Sequence, residues 1–106
     1  MNNTANDKPI FTVTTFCYNP DLDRPISNVR TPGFYHEFDY AEADLINNCG
    51  DIWEYSYDYA LIEEVKPGLY QACTNRHFFK FNISTKKYEQ IPTPAGLKNV
   101  INFSIG

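Results

Sequence analysis

Apolar and polar positions alternate most regularly where Trp53, Tyr55, Tyr57, Tyr59 and Leu61 interleave with Glu54, Ser56, Asp58 and Ala60. A period of two sustained over this stretch predicts a strand with one aromatic and one acidic face. Ile10–Tyr18 is a β-branched and aromatic run ended by Asn19-Pro20, apolar on both faces as in a central strand. Lys66-Pro67-Gly68-Leu69 places Pro and Gly where a type II turn needs them, so residues 69–74 are expected to return as a partner strand. Residues 77–83 follow as a strand, with Phe79, Phe81 and Ile83 on one side and Phe78, Lys80 and Asn82 on the other. Residues 88–91 form another, and the alternation of Ile101, Phe103 and Ile105 predicts a last one.

A helical period occurs over 39–50. Ala41, Leu45 and Cys49 stand at i, i+4 and i+8, Asp39 and Glu42 make a capping-box pattern, and Gly50 suits the left-handed residue that ends a helix. Residues 19–33, with three of the seven prolines, read as a long surface loop, 34–38 as a short extended piece, and 1–9 as a flexible lead-in. These elements predict a single α+β domain over 1–106, an antiparallel meander sheet of about five strands with one short helix. Trp53, Tyr57, Leu61, Phe79, Phe81 and Phe103 are its expected core.

Composition supports a self-sufficient core: eight Tyr, eight Phe and one Trp in 106 residues supply much ring area. No apolar run approaches the roughly 18–20 residues of a membrane span. The polar start, Met1 to Asp7, lacks the features of a signal peptide, so the expected location is cytoplasmic, in the producing or host bacterial cell. Cys17, Cys49 and Cys73 are odd in number and irregularly spaced, against a disulfide framework; each is expected to be a buried small hydrophobe.

Charge is segregated. From residue 31 to 65 there are nine acids and no Lys or Arg, whereas residues 66–106 hold six basic residues against the single acid Glu89. On one reading the acidic segment docks on a basic protein surface, with Tyr and Trp as anchors. On the other, the charges pair across strands within the sheet. The docking reading singles out Glu54, Asp58, Glu63 and Glu64 with Tyr55 as partner-binding residues. Acids this dense argue against nucleic acid as a partner.

Catalytic signals are weak. His36-Glu37-Phe38-Asp39 could hold acid/base chemistry, but a zinc-protease helix needs a second His where Tyr40 stands, and no closely spaced set of N and S ligands occurs. Asp58, Cys73 and His77 could be assembled into a nucleophile, base and orienter, as could other combinations of two His and three Cys. There is no glycine-rich phosphate loop, and no cofactor or metal is expected.

The stretch from Trp53-Glu54 through Tyr57-Asp58-Tyr59-Ala60, Ile62-Glu63-Glu64-Val65 and Gly68-Leu69-Tyr70 fits the pattern W-E-x-x-Y-D-Y-A-x-I-E-E-V-x-x-G-L-Y. It resembles small uncharacterised proteins of bacteriophages and gut bacteria. In those, a segment like Phe78-Phe79-Lys80-Phe81 and an ending like 102–106 follow. The resemblance implies an origin but no activity. Three functions follow: an acidic inhibitor or immunity-type factor that masks a basic surface, a minor structural component of a virion or other assembly, or a small enzyme using His36, His77 or a cysteine. The charge map favours the first.

Overall fold

The computed structural model describes residues 8–69, 75–98, 100, 103 and 104. Strands β1 (Ile10–Tyr18), β2 (Ile26–Tyr35), β3 (Tyr59–Val65), β4 (Arg76–Asn82) and β5 (Lys87–Ile91) form one antiparallel sheet in the order β2-β1-β3-β4-β5, accompanied by one helix, α1 (Phe38–Ile46). This is the α+β arrangement that the periodicities predict. The chain makes the β1–β2 hairpin, crosses one face through α1, and returns beside β1 to run β3, β4 and β5 in sequence. No helix among the described residues is long and apolar enough to cross a membrane.

Both faces of the sheet are covered, and that accounts for the doubly apolar strands. On the helix side, Val13, Ala60, Ile62, Phe79, Phe81 and Tyr88 pack under Ala41 and Leu45 of α1 and under Trp53. On the other side, Phe16, Leu61 and Phe78 are covered by Leu97, with Val100 and Phe103 packed against them. Of the expected core, Trp53, Leu61, Phe79 and Phe81 are buried, while Tyr57 and Phe103 are half-buried.

Five expectations need correction. The expected loop 19–33 contains most of β2, a ten-residue edge strand. Its register against β1 slips between Val13 and Thr15 and again between Thr15 and Cys17. Such bulges at an outer edge are where a strand accommodates a proline such as Pro32. The alternation at 53–58 is not a strand. Glu54 and Tyr55 take left-handed φ of 48° and 61°, and the Trp53 carbonyl accepts the N–H groups of Ser56 at 3.0 Å and Tyr57 at 2.9 Å. Burial of one large ring outweighs strand propensity here: Trp53 stacks on Phe81 with centroids 4.2 Å apart, and its Nε1 donates to Asp58 at 3.0 Å.

The helix starts one residue before Asp39, with Glu37 as an N-cap whose side chain makes no capping bond; Asp39 instead sits in the first turn, where its charge suits the helix dipole. It ends at Ile46, and a short 3₁₀ turn (Cys49–Asp51) follows the left-handed Asn48. Cys49 therefore falls off the apolar stripe and is exposed, and Cys17 is half-buried, so neither thiol is fully buried as expected. Residues 70–74 of the expected return strand, with Cys73, lie outside the described residues, as do 1–7 of the lead-in. The strand that pairs with β3 is β4, and Gly68 has a positive φ of 134°, well away from the roughly +80° of a type II turn. Of the expected C-terminal strand, Phe103 and Ser104 are described, and they form a bend against β3 rather than a sheet strand.

Candidate functional site

The five residues singled out by charge do not share one surface. Asp58 and Glu64 stand at opposite ends of β3, roughly 20 Å apart at the strand rise. Glu63 and Glu64 point to opposite faces. Glu54 forms an ion pair with Arg30 at 2.5 Å, both side chains half exposed. Asp58 accepts from the Trp53 indole. Glu63 is fully buried. Its carboxylate accepts the Phe103 N–H at 3.1 Å and the Ser104 N–H at 3.0 Å and pairs with Arg76 at 3.3 Å. It ties the 100–104 segment to the sheet and is closed to a partner. Tyr55 is 77% exposed, resting on the edge of Trp53 with ring centroids 4.6 Å apart.

The acidic face lies instead on the helix side. Because Ala41 and Leu45 turn inward, α1 presents Glu37, Asp39 and Tyr40 to solvent, with Tyr40 68% exposed. Glu42 is half-buried, and Asp44 accepts the Tyr35 hydroxyl at 2.6 Å. That hydrogen bond, with burial and the Asp44 charge behind it, pushes the Tyr35 phenol up to about 12. No basic residue offsets these acids on the helix.

Beside the first turn of α1 a cavity of about 230 Å³ opens, lined by Phe11, Phe38, Ile62, Glu64, Asn75 and His77. The β1–β3 register sets Phe11 opposite Glu64, and the β3–β4 register sets Ile62 opposite His77. Phe38, the first helical residue, meets Phe11 edge to face at 6.0 Å and the His77 ring at 4.6 Å. Asn75 donates through Nδ2 to Glu64 Oε1 at 2.9 Å and accepts the Glu64 backbone N–H at 3.0 Å, which fixes the carboxylate at the rim. Among the described residues Glu64 belongs to no ion pair.

A second cavity of about 120 Å³ lies under β2 and α1, next to Tyr35, Asp44 and Cys49. Cys49 Sγ donates to Asp44 Oδ1 at 3.6 Å, and its thiol, though exposed, is pushed up by local desolvation and then by the Asp44 charge, away from the thiolate needed for nucleophilic chemistry. His36 stands beside Phe34, with ring centroids 5.9 Å apart, and His77 against Phe38. Asp58 lies opposite Phe81, its carbonyl accepting the Phe81 N–H, four residues along β4 from His77 and so about 13 Å away. The imagined Asp58–His77 relay is not assembled. No three His, Cys, Asp or Glu side chains among the described residues converge as a metal centre requires.

Sequence reasoning reached Glu64 and Tyr55 but missed Phe11, Phe38 and Asn75 as site residues. Phe11 and Phe38 join the site through strand register and helix placement, which leave no local trace. Tyr40 was legible, lying off the Ala41–Leu45 stripe. No family model matches the chain, and neither the curated proteins nor the solved structures compared with it show a significant match.

Proposed function

We propose that the protein is a small non-enzymatic interaction protein, an acidic inhibitor or immunity-type factor of phage or bacterial origin, which masks a basic surface of a protein partner. The observation that carries this reading is the outer face of α1. There Glu37, Asp39 and the 68%-exposed Tyr40 stand together in a stretch without Lys or Arg. Carboxylates of one sign steer a basic partner towards the face, and an exposed tyrosine supplies a low-entropy aromatic anchor. Tyr55, against Trp53, is a second exposed ring that a partner could use. The origin rests on the resemblance carried by residues 51–106.

The test is quantitative capture from bacterial extract at low and high salt. Wild-type protein is compared with a Glu37→Gln, Asp39→Asn, Tyr40→Ala variant and with Tyr55→Ala. A basic protein retained by wild type, and reduced at least tenfold by the helix variant, is the expected result. Equal capture by both, with no salt dependence, would overturn the reading. Replacing His36, which lines neither cavity, with Ala is expected to leave both fold and capture intact.

A further inference from the structure

We propose that the cavity at the first turn of α1 is a receptor for one guanidinium group, an arginine side chain of the basic partner. This rests on the partner-binding reading above and adds to it the chemistry of the central contact. Three features of the cavity point the same way. Its floor is apolar, from Phe11, Phe38 and Ile62, so it accepts the methylene stem of a long basic side chain and offers aromatic rings to a cation. Its rim holds the half-buried Glu64 carboxylate, which has no cationic partner among the described residues.

The third feature is the direction of the Asn75 amide. With Nδ2 donating to Glu64 Oε1, the bond leaves Asn75 Oδ1 and Glu64 Oε2 as acceptors on two hydrogen-bonded residues of the lining. A carboxylate joined by an amide acceptor suits the several donors of a planar guanidinium better than the point charge of an ammonium. Size agrees: about 230 Å³ is smaller than the roughly 300–1,000 Å³ of sites for drug-sized ligands and cofactors, and is fit for one side chain. An anion is disfavoured by Glu64 and by Glu37 and Asp39 in the adjoining turn.

The experiment is a heteronuclear NMR titration of the full chain with N-acetyl-arginine methylamide, with N-acetyl-lysine methylamide and sodium acetate as parallel arms. Saturable shifts centred on Glu64, Asn75, His77 and the Phe38 ring are expected for the arginine probe. The lysine probe should be weaker, and acetate should give none at these residues. Glu64→Gln should weaken the arginine probe about tenfold or more, the loss of one charge-assisted contact, while the remaining spectrum is retained. No saturable shift with the arginine probe, tighter binding of acetate, or arginine affinity unchanged in Glu64→Gln would overturn the proposal. Capture by the Glu64→Gln protein separates the two readings. A partner lost with the helix variant but retained at full strength by Glu64→Gln removes the arginine receptor and leaves the partner reading standing.

Discussion

Arg76 stands directly across from Glu63 in the β3–β4 register, and its Nε lies 3.3 Å from a carboxylate oxygen that no solvent reaches. The Arg76 side chain is itself only 11% exposed, and it also donates through Nη1 to the Val100 carbonyl. The pair therefore joins the central strand, its neighbour and the segment that follows β5. A buried carboxylate survives only when charge and hydrogen bonds replace its hydration, and here one guanidinium and two backbone N–H groups do so.

Removing one partner alone leaves an uncompensated buried charge, so Glu63→Ala is expected to cost about 3–5 kcal/mol. The adjacent Glu64→Gln, at a half-exposed rim, should cost under about 1 kcal/mol. Urea midpoints of the two variants check this contrast. A Glu63→Leu, Arg76→Leu double variant should be less destabilised than the sum of its singles, because it strands no charge.

Two apolar residues in and just after β4 should differ as sharply. Phe79 is completely buried between α1 and the sheet, whereas Ile83 is 63% exposed in the following turn. Phe79→Ala is expected to lose about 3–5 kcal/mol to transfer and cavity terms. Ile83→Ala should stay within about 0.5 kcal/mol of wild type. Chemical denaturation of both settles which face each occupies.

Alkaline titration should weaken the fold. The Tyr35 phenol is pushed up to about 12, first by its hydrogen bond to Asp44, and Tyr88 is raised further, mainly by burial. An unfolded tyrosine ionises near 10, so the folded state holds these protons more tightly. Their stabilisation is complete below about pH 10 and is lost as pH rises through about 12. Tyr35→Phe should show a shallower loss of urea midpoint over that window, with the residual slope belonging to Tyr88.

The glycines separate backbone from packing effects. A Cβ at Gly50 or Gly33 meets nothing within 4 Å, but Gly50 has φ of +69°. Gly50→Ala should therefore cost about 1 kcal/mol, the left-handed penalty alone. Gly33→Ala should be neutral or stabilising by up to about 1 kcal/mol through the unfolded chain. Thermal midpoints of the two variants decide it.

The class of fold was legible because α1 carries a local period that burial then uses, and β1 and β4 are apolar on both faces as doubly covered strands must be. What the pattern could not show was competition at a distance. Trp53 to Asp58 alternate as a strand does, yet a ring that can stack on Phe81 draws this stretch into a turn. The prolines of 19–33 signal a loop, yet an edge strand with two bulges tolerates Pro32. For the site, charge counting grouped Glu63 with Glu64, and the two-residue period of β3 then put one in the core and the other at a cavity rim. Strand polarity was readable there; which face would be closed by residues 97–104 was not.

The tie between Glu63 and the segment beyond β5 also sets how much of the chain the sheet needs. All five strands have been synthesised once Ile91 is added, but two donors to the buried carboxylate belong to Phe103 and Ser104. A nascent chain stalled between these points would hold its central strand beside Arg76 with the charge only half compensated. The stability of the sheet therefore depends on residues that contribute no strand to it: a chain cut after Ile91 keeps every strand and loses two donors to its buried carboxylate.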